Sequence, residues 1–232
     1  MLTDRKVLNK RMPQINSDFN IFCSARLNSM KWVPSPAPGI WRKRVYMDGP
    51  SESCKVTSIV RYDAGAHFPP HDHPGGEEIL VLDGTFSDDG GNFSDGWHLL
   101  HPDGFRHQSY SEEGCLILVK LRQYSGKETV LQDTEKLEWV QGGADGVTCK
   151  SLYRNEELGI STYLIHYAKD TTIPLQNYPE GKEIYVLNGT LVDSFGTHDS
   201  GSWLRYPTGA ASKLVTRNGC MLYVQNGGLQ AL

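Results

Sequence analysis

His71 and His73 are separated by one residue, so on an extended strand both imidazoles face the same way. Glu77 follows across Pro74-Gly75-Gly76, and the apolar run Ile79-Leu80-Val81-Leu82 comes directly after it. Two imidazoles and a carboxylate converging from a hairpin form a partial coordination sphere for a first-row transition metal. A fourth donor arrives in the stretch 96–107, G-W-H-L-L-H-P-D-G-F-R-H, which ends on His107. Three imidazoles and one carboxylate suit iron, manganese, nickel, copper or zinc, and affinity alone does not choose among them. In a tetrahedron the four close a zinc site that serves structure or sensing. In a five- or six-coordinate site they leave room for a substrate.

The elements that must position these residues are short strands. Alternating β-type runs occur at Lys43 to Tyr46, Ser53 to Asp63, Glu78 to Leu82, Gly96 to Leu100 and Gly114 to Tyr124. Turn residues such as Asp88-Asp89-Gly90-Gly91-Asn92 separate them. Trp32 to Gly39 is too proline-rich for a helix, and the first thirty residues show no clear period, which predicts an irregular arm.

Past residue 125 the pattern starts again. Sliding the chain by 105 residues aligns 68–119 with 173–224 without a gap, at 18 identities in 52 positions. Ile79, Val81, Leu82, Gly84 and Thr85 recur as Ile184, Val186, Leu187, Gly189 and Thr190. Trp32…Gly39 recurs as Trp139…Gly146. The chain therefore reads as an arm over 1–29, a metal-binding domain over 30–130 and a degenerate copy over 131–232.

The duplication acts as an internal control. Turn glycines and core apolar positions are kept in both copies, whereas His71, His73, Glu77 and His107 become Gln176, Tyr178, Lys182 and Ser212. A folding requirement would hold in both copies, so the four residues read as chemistry. No metal is expected in the second copy, whose four replacements are read either as a polar pocket able to hold an anion or as the plug of a retired site. Glu78 recurs as Glu183, which marks it as structural or surface and favours Glu77 as the ligand. His67, His98 and His101 lie near the ligand strands, either as supports of the site or as ordinary barrel residues. Arg122 either faces the barrel mouth, where it would meet an acidic substrate, or lies on a solvated face; His166 and His198 receive no role.

Composition excludes several classes. The net charge of −4, with no Lys/Arg cluster, argues against a nucleic-acid surface. No apolar run reaches the roughly 18 residues of a spanning helix, and the N-terminus has no apolar signal core, which predicts no membrane span and a cytoplasmic location. The five cysteines (Cys23, Cys54, Cys115, Cys149 and Cys220) contain no C-x-x-C pair, so a reducing compartment fits better than a disulfide framework.

The spacings match the two signature motifs of the cupin superfamily: Gly65, His71-x-His73, Glu77, Gly84; then Gly96, Pro102-x-Gly104, His107. The asparagine that often closes the second motif is missing, with Tyr110 and Ser111 there instead. The stretches W-V-P-S-P-A-P-G, S-I-V-R-Y-D-A-G-A, G-G-E-E-I-L-V-L-D-G-T-F-S-D and the E-E-G-C…V-K-L-R-Q run resemble the cupin domains of the ChrR family. The likeness is close over about residues 30 to 125 and looser beyond.

That resemblance implies an all-β chain of two tandem jelly-roll (double-stranded β-helix) domains, with one divalent metal on His71, His73, Glu77 and His107. The family's namesake is a zinc-binding anti-sigma factor of the singlet-oxygen response. With about thirty residues ahead of the first motif and Cys23 alone among them, no counterpart of its sigma-binding helical domain is expected. Relatives without a regulatory domain are similar to stand-alone metal cupins, including diketone-cleaving dioxygenases. Two functions follow as expectations: a metal-dependent, dioxygenase-like enzyme on a small organic substrate, or a non-catalytic zinc cupin acting as sensor or anti-sigma-type regulator in oxidative stress. Edge strands and the arm predict inter-domain or homodimer contacts.

Overall fold

The computed structural model describes residues 14–50 and 53–229. Among these there is no α-helix, only two single 3-10 turns at Leu27–Ser29 and Thr134–Lys136, and no helix is long and apolar enough to cross a membrane. The strands form two barrels of matching topology. In the first, the large sheet runs in the order Val130–Asp133, Trp97–His101, Glu77–Asp88, Cys115–Leu121, Val56–Tyr62, Ile40–Met47, Val33–Pro34. In the second, the order is Cys23–Arg26, Ser202–Tyr206, Lys182–Asp193, Cys220–Asn226, Ile160–Tyr167, Val147–Asn155, Val140–Gln141.

The first strand in each order comes from the other repeat. Cys23–Arg26 pairs with Ser202–Tyr206, Cys23 opposite Arg205, while Val130–Asp133 pairs with Trp97–His101, Val130 opposite Leu100. The exchange is reciprocal and covers edges that would otherwise be open. It also differs from the expected irregular lead-in: the described part of the arm carries a strand. Its partner lies in the other repeat, so no local period could disclose it. Residues 1–13 of the arm lie outside the described residues.

Strand alternation sorts the side chains into three cores. Ile79 and Val81 point into the first barrel with Val60, Phe86, Leu99 and Ile117. Ile184 and Val186 do the same in the second barrel with Leu204 and Leu222. The residues between them turn the other way: Leu80, Leu118, Tyr185, Trp203 and Tyr223 form a third cluster where the two large sheets meet. Gly84 and Gly189, both at positive φ, sit at the same bend, where a Cβ would collide with the carbonyls of Gly114 and Gly219. This is why both copies keep the glycine.

Buried charge accompanies this third core. The Lys120 ammonium lies 3.1 Å from Glu183 and donates to the Gln225 side chain. The Tyr223 hydroxyl donates to Glu78 at 2.7 Å, and His98 donates to the same oxygen at 2.8 Å. Gln132, on the exchanged strand, donates to the other His98 nitrogen at 2.8 Å and fixes that tautomer. Burial works against an ionised Glu78, but the hydrogen bonds from His98 and Tyr223 and the Lys120 charge outweigh it and hold its carboxyl below the ordinary value. Glu78 and Glu183 are therefore structural, as their shared presence in both copies predicts, but interior rather than surface.

Removing one partner of a buried carboxylate should cost more than an ordinary hydrogen bond. Tyr223→Phe should lower the unfolding free energy by roughly 1.5–3 kcal/mol. Glu78 titrates in the folded chain below its unfolded value of about 4.3. The wild type's advantage is thus full above that pH and shrinks as the pH falls through the folded value. Urea denaturation of both proteins at neutral and acid pH checks magnitude and sign.

Candidate metal centre

The short strands His71–His73 and Phe105–His107 pair antiparallel, with His71 opposite His107 and His73 opposite Phe105. Period-2 alternation turns His71 and His73 inward together and leaves Asp72 outside, where it pairs with Arg106 at 3.0 Å. The chain then turns through Gly75 and Gly76, both at φ +74, and delivers Glu77 as the first residue of Glu77–Asp88. A Cβ on Gly76 would collide with the Tyr124 carbonyl, so the turn that aims Glu77 requires glycine there.

The four expected donors converge. His73 Nε2 is 2.9 Å from His107 Nε2, and Glu77 Oε2 is 3.5 Å from His73 Nε2 and 3.7 Å from His107 Nε2. His71 joins through its ring, 4.6 Å from the His73 ring and 5.1 Å from that of His107. Donor atoms of His71, His73 and His107 all lie within 4.8 Å of one another, as do those of Glu77, His101 and His107. All but His71, which is half-buried, are buried.

The donor chemistry fits a metal. Donors about 2.1 Å from one ion lie roughly 3.0–3.4 Å apart, close to the separations found. Two imidazoles are also oriented from behind. His71 Nδ1 faces the Pro69 carbonyl at 2.8 Å and His107 Nδ1 faces Asp88 Oδ2 at 2.8 Å. Each contact takes an Nδ1 proton and leaves the Nε2 lone pair aimed inward, the arrangement that metal-binding histidines use. Burial, against the pull of Glu77, drives the His73 pKa down to about 4, which keeps its ring neutral. Burial alone would raise Glu77; its contacts with the His73 and His101 imidazoles prevail, and its pKa falls to about 2.

Two supports were not assigned from sequence. Asp88, a turn residue by sequence, ends the strand Glu77–Asp88 and meets His107 from there. Arg42 lies two residues from core Ile40 on one strand, and it lines the same cavity as His71 and His73. The remaining histidines divide cleanly. His101 Nδ1 is 3.2 Å from Glu77 Oε2, and its ring stacks on Phe105 at 4.0 Å, so it buttresses the carboxylate. His98 belongs to the inter-barrel contact, and His67 is exposed against Tyr110. Arg122, at the end of Cys115–Leu121, lines the cavity over the site.

In the second barrel Gln176 lies opposite Ser212, and Lys182 sits over the Tyr178 ring at 4.1 Å. Gln176 and Lys182 border a cavity, while the Ser212 hydroxyl turns to the Lys213 carbonyl at 3.3 Å. Asp193, the counterpart of Asp88, is bound by His198 at 2.9 Å and by the Tyr206 hydroxyl.

The profile of the family described as ChrR Cupin-like domain matches residues 23–125 and again 127–230. The chain belongs to this family. Both cupin repeats begin with the strand that is exchanged, which explains why the match starts ahead of each barrel. No curated protein matches the chain in sequence. Among solved structures, a candidate dioxygenase from Nostoc punctiforme superposes with a TM-score of 0.75 at 15% identity, over 92% of this chain and 85% of that one. YlbA from Escherichia coli gives 0.71 at 14% identity over 97% of both chains. The pirin YhhW from Escherichia coli, solved with nickel(II), gives 0.65 at 15% identity over 89% of this cupin and 99% of that chain. At these identities the likeness is one of fold.

The hydrogen bond that His107 donates to Asp88, assisted by the charges of Glu77, Asp88 and Asp89, outweighs burial and raises the His107 pKa above its ordinary value. In chelator-treated protein, Asp88→Asn should therefore lower the His107 pKa and leave His73 neutral above about pH 4. An imidazole nitrogen NMR titration reads both rings.

Proposed function

We propose that the first barrel holds one divalent transition metal on His71, His73, Glu77 and His107, and that it performs dioxygenase-like chemistry on a small organic substrate. The observation that carries this reading is a cavity of about 230 Å³ that ends on His71, His73 and Glu77. A closed zinc site needs no such space. The cavity walls are largely apolar, with Val60, Phe68, Phe86, Ile117 and Val119, which favours a desolvated organic ligand. Nickel(II) in the YhhW structure and Mn(II) centres in Bacillus subtilis oxalate decarboxylase support a metal in this fold.

A bound metal would supply Lewis acidity or redox capacity to a substrate carbonyl. The chain's own residues do the rest. Asp88 and Pro69 hold the His107 and His71 rings in their lone-pair-inward orientation, and His101 holds Glu77. Arg42 and Arg122 line the cavity, where their guanidiniums would take an anionic substrate group. Tyr62 shares a hydrogen bond with Ser109 at 3.0 Å, and burial raises its phenol well above the ordinary value, so it enters any reaction as a protonated hydrogen-bonding group. Phe68 and Phe86 give the cavity apolar surface beside His71.

Elemental analysis of protein purified without chelator or added metal should find iron, manganese, nickel or copper near one per chain. Oxygen-uptake screens on diketones and related molecules should then find turnover. Zinc near one per chain with no oxygen uptake would overturn the enzyme reading in favour of a non-catalytic zinc cupin. His71→Ala should strip the metal and leave the barrel folded. Asp88→Asn should weaken metal binding by roughly 10–100-fold. Stoichiometric metal retained in His71→Ala would sink the site assignment.

A further inference from the structure

Among the described residues, the second barrel contains a buried cation that meets no counter-charge. Lys182 occupies the place that Glu77 holds in the first barrel, and it is 9% exposed. Its ammonium meets the Tyr178 ring face at 4.1 Å, and no described carboxylate lies within ion-pair distance. The nearby acids are already engaged: Asp193 by His198 and Tyr206, and Glu183, on the opposite strand face, by Lys120. Desolvation lowers the Lys182 pKa to about 8, with no acidic neighbour to offset it, so the amine is still mostly protonated at neutral pH. A protonated amine in such surroundings is costly unless something supplies the opposite charge.

Space for that partner exists. A cavity of about 180 Å³ is bordered by Lys182, Gln176 and Asn226, with apolar walls from Val147, Ile165 and Ile173. We propose that the second barrel binds a small aliphatic monocarboxylate, its carboxylate on Lys182 and its hydrocarbon tail against Val147, Ile165 and Ile173. The Gln176 and Asn226 amides border the same space and can donate to the carboxylate oxygens. A dianion would leave one charge unmatched by the single lysine. The cavity has room for a short branched monocarboxylate such as isobutyrate. Loss of the metal ligands in this copy is then a change of ligand class, from a cation held by Glu77 to an anion held by Lys182.

Calorimetric titration of the full chain with isobutyrate tests this. The wild type should bind one equivalent, and Lys182→Met should bind about tenfold more weakly or worse, the loss of one charge-assisted contact. Isobutyramide, of the same shape but neutral, should bind the wild type correspondingly weakly; this arm needs no variant to fold. Lys182→Met should keep the metal content of the wild type and melt no lower, since it removes an unpaired buried charge. No isobutyrate binding in the millimolar range, equal binding by Lys182→Met, or equal affinity for isobutyramide would each overturn the proposal. Binding that disappears in His71→Ala and survives in Lys182→Met would place the carboxylate on the first-barrel metal and overturn it as well.

Discussion

Two adjacent carboxylates facing opposite ways set the terms for this molecule. Glu77 begins a strand with its side chain inside the first barrel, among three imidazoles; Glu78, one residue on, faces the second barrel and takes hydrogen bonds from His98 and Tyr223. The period of two in an extended strand makes this unavoidable. The register that places Glu77 at the site also commits Glu78, Leu80 and Lys120 to the contact between the barrels. A slip of one residue would exchange the two sets, leaving the imidazoles without their carboxylate and the contact with the wrong charges.

The contact is more than an apolar seam. Each repeat gives its first strand to the other's sheet, so neither sheet is complete without its neighbour. The polar groups buried there are partnered across the two halves, Lys120 by ion pair with Glu183 and Glu78 by hydrogen bond with Tyr223. Rigid sheets on that side free the opposite faces for ligands. In the first barrel the inward face carries donors for a cation. In the second, the same strand positions carry Lys182 above Tyr178. One scaffold thus presents electrostatically opposite interiors.

Much of this was legible in the sequence because duplication separates scaffold from chemistry. Glycines such as Gly84 and Gly189 stay because a side chain would strike a facing carbonyl in either copy. His71, His73, Glu77 and His107 differ between copies because nothing in the fold needs them. The H-x-H spacing encodes a shared strand face, and the turn glycines encode the reversal that returns a carboxylate to it. Identity between copies is silent on the part Asp88 plays: it is kept in both, yet it serves His107 in one and its counterpart Asp193 is bound by His198 and Tyr206 in the other. Residues that play different parts in the two barrels cannot be sorted by identity alone.

By itself the sequence determined the strand pattern and the tandem repeat, through alternation, turn glycines and self-similarity along the chain, and it named the donors through spacing and the resemblance to the cupin motifs. Only the tertiary structure decided which strands complete which sheet, that Glu78 and Glu183 are interior, that His101 props Glu77 while His98 does not, and that Lys182 meets no described carboxylate. Those outcomes depend on contacts between residues far apart in the chain, where burial and the number of available partners fix the energy of each polar group. Spacing along the chain carries no record of either.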